Sequence, residues 1–273
     1  MAFLTQHGKE HLVSPILSEA IGCLVEKAEG FDTDTLGTFT REIARKGTQE
    51  QAALRKAKLA AKLARVNCGL GSEGSFGPDP ITGLIPWNRE VICFFDKRSN
   101  LRVFGSSAGP SQHGHGKVKT WTELEDLAQK LSFPSHSLVL RQNEDGYNSR
   151  ICKGIKDWNT LKQVFNELMA LPSTRQLFVE NDLRSFGNPS RQHMIQKAAE
   201  NLAERLCSHC TNCGAPGFWR SEYISGRLCR HCQEPTDSPR AEVWSCVLCS
   251  RREARAIPGP NFVDPAECAN CNP

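Results

Sequence analysis

Eight cysteines near the end of the sequence form four Cys-x-x-Cys pairs, and no other residues in the chain suggest a specific chemistry as clearly. Two thiolates separated by two residues can both turn toward one ion, and two such turns complete a tetrahedral zinc site. The sequence therefore predicts two structural zinc ions. The predicted ligands are Cys210, Cys213, Cys229, Cys232, Cys246, Cys249, Cys268 and Cys271.

The spacing along the chain favours sharing of each ion by neighbouring pairs. Fifteen residues separate Cys213 from Cys229 and eighteen separate Cys249 from Cys268, whereas thirteen separate the two middle pairs. Zinc sites built from two such turns commonly enclose about 15 to 20 residues. The interleaved arrangement, first pair with third and second with fourth, remains open.

Residues 207–273 are expected to form a small tandem zinc-ribbon module. Large apolar side chains are few there, so the metal must supply much of the folding free energy of the module. Disulfide bonds are the less favoured interpretation, because the spacing repeats and no export signal is visible. Cys207, His209 and His231 lie outside complete pairs and are interpreted as non-ligands.

The charge of this module bears on its partners. Seven Arg balance seven Asp or Glu, Lys is absent, and eight thiolates with two zinc ions would leave the module negative. Such a charge repels a phosphate backbone unless Arg251, Arg252 and Arg255 share one face. A structural clip or a protein-binding surface is at least as well supported as nucleic-acid binding.

A glycine-rich segment at residues 69–78 is the most informative stretch of the preceding chain. Four glycines surround a single carboxylate, Glu73. This composition predicts a loop whose main-chain N–H groups bind an anion while Glu73 holds a divalent cation. A structural turn without any ligand is the alternative.

Basic residues precede the glycine-rich segment. Between Arg41 and Arg65 lie eight Lys or Arg against two Glu, which indicates either the solvated face of a helix or a phosphate-binding surface. Cations that hold phosphates and carboxylates that hold Mg²⁺ would suit a phosphoanhydride hydrolase. The predicted catalytic residues are Lys9, Asp34, Glu73 and Asp182, and the predicted ligand-binding residues are His7, Lys56, Gly74, Ser75 and Arg184.

An ordered set of motifs resembles a bacterial family of uncharacterised proteins. The motifs are His-Gly-Lys-Glu at 7–10, Asp-Thr-Asp-x-Leu-Gly-Thr-Phe-Thr at 32–40, Glu-Gly-Ser-Phe-Gly-Pro at 73–78, Glu-x-Asp-x-Arg at 180–184, Asn-Pro-Ser-Arg at 188–191 and the C-terminal Cys-x-x-Cys pairs with the terminal Cys-Asn-Pro. The resemblance spans nearly the whole chain. It implies a shared layout of loops and zinc knuckles and implies no particular reaction.

The order of parts in residues 1–100 is also similar to inosine triphosphatase and the Maf-type nucleotide pyrophosphatases. These enzymes use carboxylate-bound magnesium to split a nucleoside triphosphate into a monophosphate and pyrophosphate. The resemblance implies that Lys9 meets phosphate, that Lys56 assists and that Glu73 binds the metal. The chain departs from these enzymes in having one carboxylate in the glycine-rich segment and a zinc-binding tail.

The elements that must position these residues indicate an α/β domain with a layered mixed sheet over residues 1–206. Thr48 and Gln51 form a capping box that opens a helix over about 49–66, and Asn188 with Pro189 opens another that leads into the tail. Further helices are expected from Trp121 and over 158–168. The expected strands are 90–96, 101–104, 137–141 and 176–179, with a loop over 105–120.

The whole chain has 273 residues, 39% of them hydrophobic, and a formal net charge of +4. No apolar run is long enough to span a membrane and no secretory signal is visible, so a cytoplasmic location is expected. The sequence thus predicts a zinc-binding protein that acts as a divalent-metal-dependent hydrolase on a nucleotide or another phosphate-bearing substrate. The alternative is a non-catalytic zinc-ribbon protein that binds nucleic acid or a protein partner.

Overall fold

A computed structural model describes residues 1–31, 47–142, 144 and 150–273. The chain is mixed α/β with several sheets and divides into two units, Met1–Ala203 and Glu204–Pro273. No helix in the described parts of the chain is both long and apolar enough to cross a bilayer.

The first sheet of the N-terminal unit has five strands in the order β2-β1-β3-β4-β5. Its strands are β1 (Ala2–Leu4), β2 (Glu26–Lys27), β3 (Cys68–Pro78), β4 (Pro86–Asp96) and β5 (Leu101–Pro110). β1 pairs in parallel with β2 and β3, whereas β3, β4 and β5 are antiparallel. After β1 the chain continues to β2 on one side of the sheet, and after β3 it continues to β4 on the other side. The carboxyl end of β1 lies beside Gly71 in the first half of β3, so the sheet has a topological switch point there, and α/β sheets commonly bind ligands at such points.

Helices cover both faces of this sheet. Helix α1 (Glu10–Ile21) follows β1, and helix α2 (Gln49–Leu63) precedes β3 and packs on one face. Helix α5 (Pro189–Cys207) packs on the other face, where a Cβ at Gly105 would lie 2.4 Å from the Cβ of Leu202. Only glycine permits so close an approach of helix and strand at this point.

Local signals fix where the two packed helices begin. The Thr48 capping box of α2 is present, with the side chain of Thr48 accepting from the N–H of Gln51. Asn188 caps α5, because its Oδ1 accepts from the N–H of Arg191 at 2.9 Å. Both starting points agree with the sequence predictions.

Two predicted loops are strands, which corrects the sequence analysis. Residues 69–78 belong to β3 rather than to a glycine-rich loop. Its first glycines serve packing, since a Cβ at Gly69 would lie 2.0 Å from Ala57 O and one at Gly71 would lie 2.2 Å from Ala53 O, both on α2. The predicted loop over 105–120 also contains the second half of β5 and a short strand over residues 115–118.

The second sheet of the N-terminal unit has the order β6-β9-β7-β8 and is antiparallel throughout. Its strands are β6 (His115–Val118), β7 (Leu138–Arg141), β8 (Ile151–Ile155) and β9 (Leu177–Asn181), and its helices are α3 (Trp121–Lys130) and α4 (Trp158–Met169). The apolar side chains of these elements form one continuous core, centred on residues such as Leu124, Leu140 and Leu161.

The C-terminal unit contains an antiparallel sheet of three strands in the order β10-β12-β13 and a parallel pair formed by β11 and β14. Its strands are β10 (Trp219–Ser225), β11 (Leu228–Cys229), β12 (Pro239–Ser245), β13 (Arg252–Ala256) and β14 (Phe262–Val263). Trp219, at the start of β10, pairs with Ser245 at the end of β12.

Candidate functional site

The eight paired cysteines gather into two tetrads in the C-terminal unit. One contains Cys210, Cys213, Cys246 and Cys249, the other contains Cys229, Cys232, Cys268 and Cys271, and within each tetrad all sulfurs lie within 4.8 Å of one another. Two Sγ–Sγ distances in the first tetrad are 3.6 and 3.7 Å, and two in the second are 3.7 and 3.8 Å. Sulfurs about 2.3 Å from a central zinc ion stand about 3.8 Å apart in a tetrahedron. The tetrads therefore have the size of a zinc-thiolate site.

The prediction that neighbouring pairs share an ion is wrong, because the tetrads are interleaved. The first pair precedes β10 and the third follows β12, and these two strands run antiparallel. Since Trp219 pairs with Ser245, the start of β10 and the end of β12 lie at the same end of the sheet. The second pair lies beyond the other end of β10, where β11 pairs with β14 and brings the fourth pair close.

Hydrogen bonds lower the pKa of one cysteine in each tetrad, while the pKa values of Cys213, Cys232 and Cys271 are raised. The backbone N–H of Arg251, followed by the side chain of Asn212, lowers the pKa of Cys249 to about 6. In the second tetrad the backbone N–H of Cys232 is the largest influence that lowers the pKa of Cys229 to about 7. Thiolates, not thiols, bind metal. All thirteen cysteines of the chain are free of disulfides, including Cys207.

A second candidate site occupies the switch point of the N-terminal unit, where charged side chains are buried. Lys9 is only 7% exposed at the start of α1. Its Nζ donates to Ser72 Oγ on β3 at 3.1 Å and lies 3.7 Å from Glu90 Oε2 on β4. The preceding turn uses positive φ angles at His7 (67°) and Gly8 (74°), which direct the chain from β1 into α1.

Glu90 is shared between Lys9 and Arg191, which comes from the first turn of α5. Arg191 Nε donates to Glu90 Oε1 at 2.8 Å, and a second nitrogen of the guanidinium bonds the carbonyl oxygen of Leu183. Asn88 Nδ2 donates to the same carboxylate at 3.1 Å. A buried carboxylate is tolerable only with such partners.

Another ion pair lies on the α2 face of β3. Lys56 Nζ lies 2.8 Å from Glu73 Oε2, and Gln49 Nε2 donates to the backbone carbonyl of Glu73 at 2.8 Å. Glu73 and its neighbour Gly74 point to opposite faces of the sheet, as successive strand residues do. Lys9, at the start of α1, is close enough to both ion pairs for their charges to affect its pKa.

Burial perturbs the ionisation of Lys9. The pKa of Lys9 is lowered to about 7, mainly by burial and also by the charges of Arg191 and Lys56, while the charges of Glu90 and Glu73 oppose the shift. Burial also raises the pKa of Glu90, but Arg191 and Lys9 outweigh this effect and the pKa of Glu90 is lowered overall. A lysine that titrates near neutral pH can accept a proton, and such groups concentrate at functional sites.

The other predicted residues of the N-terminal unit are distributed around this centre. Asp182 is bound by Arg184, whose Nη2 lies 2.6 Å from Asp182 Oδ2. Ser185 Oγ donates to the backbone carbonyl of His7 at 2.6 Å, so this segment contacts the turn that carries Lys9. The predicted residue Asp34 lies outside the described residues.

A cleft of about 720 Å³ lies next to the charged cluster, and Ser75, from the predicted set, forms part of its wall. Phe76, Leu84 and Ile85 supply apolar surface, and His113 supplies a polar group. Phe76 contacts the ring of His113, with centroids 5.1 Å apart. The Phe76 ring also lies 5.6 Å from the guanidinium carbon of Arg191, which connects the cleft to the buried ion pairs.

Within the described residues, groups of three or more metal-ligating side chains occur only at the two cysteine tetrads. The carboxylates of Glu73 and Glu90 are instead engaged by cations. A magnesium site of the kind predicted from the sequence is therefore not supported by these residues.

Residues 56–273 match the model of one protein family, described as Domain of unknown function (DUF6671). The chain belongs to this family. No curated protein and no solved structure matches it. The DUF6671 match includes Lys56, Glu73 and Asp182 together with all eight tetrad cysteines, whereas His7 and Lys9 precede it. The similarity to inosine triphosphatase and the Maf-type pyrophosphatases stays a prediction.

Several members of the buried cluster in the DUF6671 region were not predicted as site residues. They are Asn88, Glu90 and Arg191. Glu90 stands directly before the apolar run of β4, and Arg191 follows Asn188-Pro189 at a helix start. A charged residue next to an apolar strand was the available signal, because a buried charge requires a partner.

Proposed function

We propose that each cysteine tetrad binds one structural zinc ion and that these ions hold the C-terminal unit together. The proposal rests on the grouping of four sulfurs within 4.8 Å of one another in each tetrad, with two Sγ–Sγ distances of 3.6 to 3.8 Å in each. All four positions of each site are occupied by thiolates, which is typical of structural rather than catalytic zinc. The ions would thus supply folding free energy and leave no open position for substrate.

Elemental analysis of the purified chain tests this proposal. We expect two zinc ions per chain, and we expect Cys207→Ser to retain both because Cys207 belongs to neither tetrad. Serine at Cys210, in the first tetrad, should remove one ion. A reduced, folded chain without bound transition metal would overturn the proposal.

We propose that the N-terminal unit binds a phosphate-bearing small molecule, such as a nucleotide, at the switch point and hydrolyses it. The observation that carries this proposal is the burial of Lys9 between the two ion pairs, beside a cleft of about 720 Å³. Three cations, Lys9, Lys56 and Arg191, meet two carboxylates there. The cluster therefore has an excess of one positive charge when Lys9 is protonated, which suits an anion.

In this proposal each charged residue has a defined role. Lys9 is the group that contacts phosphate and exchanges a proton, because its pKa lies near 7. Arg191 is a positioning residue that fixes Glu90 next to Lys9. Lys56 would move from Glu73 to the incoming phosphate. Magnesium would be held largely by the phosphates, since Mg²⁺ often needs only one or two carboxylates such as Glu73.

A nucleotide panel assayed for phosphate and pyrophosphate release, with and without Mg²⁺, tests the hydrolase. We expect Lys9→Met to reduce the rate by on the order of 100-fold or more. Lys62→Met is the matched control, since Lys62 is exposed on α2. Absence of both turnover and pyrophosphate binding in the unmodified chain would overturn the proposal.

The alternative is a non-catalytic binding protein. For nucleic acid it requires unpaired cations, yet Arg220 lies 2.8 Å from Glu242 and Arg255 lies 2.8 Å from Glu253. The exposed Tyr223 beside Arg220 fits a protein partner better. If nucleic acid does bind, reversal of the exposed Lys58 and Lys62 on α2 to glutamate should lower the affinity measured by filter binding, and no binding by the unmodified chain would contradict this alternative.

A further inference from the structure

The two tetrads are built in the same way from two Cys-x-x-Cys pairs, but the residue before the second cysteine of the first pair in each tetrad differs. The third residue of the first Cys-x-x-Cys pair is Asn212, and the third residue of the second pair is His231. Asn212 Nδ2 lies 3.6 Å from Cys249 Sγ, and His231 Nδ1 lies 3.6 Å from Cys271 Sγ. In both tetrads the contacted sulfur belongs to the second cysteine of the partner pair. Equivalent positions therefore hold an amide in one site and an imidazole in the other.

These two side chains differ in what they offer a metal. An amide nitrogen donates hydrogen bonds and has no lone pair available for zinc, whereas a neutral imidazole nitrogen is a common zinc ligand. Sites with three cysteines and one histidine are as well established as sites with four cysteines. The backbone N–H of His231 also donates to Cys229 Sγ at 3.4 Å, which holds the residue beside the second tetrad. Its side chain is exposed and has room to turn.

We propose that His231 is a reserve zinc ligand of the second tetrad, which takes the place of Cys271 when that thiolate is unavailable. At the equivalent position the first tetrad has Asn212, which cannot ligate zinc in the same way. The inference rests on the zinc binding proposed above. Exchange of a thiolate for a neutral imidazole changes the charge of the site by one unit and leaves the metal with four ligands.

Serine variants at the two equivalent cysteines test the proposal. Zinc content is measured after dialysis against a weak chelator, with folding followed by circular dichroism. We expect Cys271→Ser to keep two zinc ions and Cys249→Ser to keep one. Cobalt substitution gives an independent readout. In Cys271→Ser the thiolate-to-cobalt absorption should fall by the contribution of one of the eight thiolates. The ligand-field bands should also shift, because a nitrogen replaces a sulfur as ligand.

Exchange of the neighbouring side chains should reverse the difference between the sites. We expect Cys271→Ser combined with His231→Asn to retain one zinc ion, and Cys249→Ser combined with Asn212→His to regain the second. His231→Asn alone is the control and should keep both ions, because its four cysteines remain.

The outcomes separate this inference from the zinc proposal itself. Fewer than two zinc ions in the unmodified chain would contradict the zinc proposal. Two ions in the unmodified chain with only one in Cys271→Ser would overturn the reserve-ligand proposal alone. Failure of the C-terminal unit of Cys271→Ser to fold would overturn it equally, since a reserve ligand must preserve the metal on which folding depends.

Discussion

Arg191 and Glu90 form an ion pair in which both side chains are 1% exposed, with Nε 2.8 Å from Oε1. The pair joins the first turn of α5 to β4, and Lys9 approaches the same carboxylate from the start of α1. Each of these charged groups is shielded from solvent, so the other charged groups must compensate its charge. Loss of one partner would leave the remaining charge buried without compensation.

Arg191→Met should therefore destabilise the N-terminal unit by about 3 to 5 kcal/mol. The control Arg98→Met removes a guanidinium that is 73% exposed, and it should change the free energy of unfolding by less than about 1 kcal/mol. Urea unfolding of the zinc-loaded chain measures both values. Equal effects for the two variants would show that the buried pair is not needed for stability.

Gly74→Ala should disturb the same ion pair from the neighbouring strand. A Cβ at this position would lie 2.3 Å from Glu90 Oε1 and 2.5 Å from Arg191 Nη2, so the pair must separate. We expect a loss of stability of roughly 2 to 4 kcal/mol, in the range for overpacking combined with a damaged buried network. Gly77→Ala in the same strand meets no atom within 4 Å and serves as the control. A Gly74→Ala chain as stable as this control would contradict the close approach.

The lowered pKa of Lys9 predicts a specific pH dependence of stability. The folded chain releases the Lys9 proton near pH 7, whereas the unfolded chain holds it up to the ordinary pKa of 10.5. Between these values the unfolded state binds more protons, so the free energy of unfolding rises with pH, by at most about 1.4 kcal/mol per unit from this group.

Comparison with Lys9→Met isolates this contribution. The difference in the free energy of unfolding, native chain minus variant, should increase from pH 7 to pH 10 and stay level below pH 7. Lys62→Met, which removes an exposed lysine, should show a constant difference over the whole range. A flat profile for Lys9→Met would indicate that Lys9 is charged in the folded protein across this range.

Much of the helical framework was predictable because its signals are local. The cap at Thr48 and the cap at Asn188 each depend on residues within one turn, and both are present. The strand β3 was not predicted, because a short segment with four glycines among polar residues indicates a loop. In the folded chain Gly69 and Gly71 instead allow the backbone of α2 to pack closely against β3. This contact is made with a different element, so the sequence of the strand alone does not predict it.

The candidate sites also differ in whether local sequence signals could predict them. The cysteines could be found because each pair is a local unit with its own spacing. Glu90 and Arg191 stand 101 residues apart and become partners only when α5 packs against the sheet. The prediction of which cysteine pairs share an ion was wrong for a related reason. The antiparallel strands β10 and β12 bring the segment before β10 and the segment after β12 to the same end of the sheet.

Double serine variants distinguish the interleaved tetrads from neighbouring ones. Cys213 and Cys246 belong to one tetrad in the structure, whereas Cys213 and Cys232 belong to different tetrads. Cys213→Ser/Cys246→Ser should therefore retain one zinc ion and Cys213→Ser/Cys232→Ser should retain none. Neighbouring pairs would give the reverse result.

Alkylation of the single variant Cys213→Ser provides the control, because it does not require two substitutions. Bound zinc protects thiolates from alkylation, so the cysteines that share the lost ion should react together. We expect Cys210, Cys246 and Cys249 to be modified quickly, while Cys229 and Cys232 stay protected. Mass spectrometry of the digested chain reads this pattern directly. Rapid modification of Cys229 with protection of Cys246 would show that neighbouring pairs share an ion in solution, contrary to the antiparallel pairing of β10 with β12.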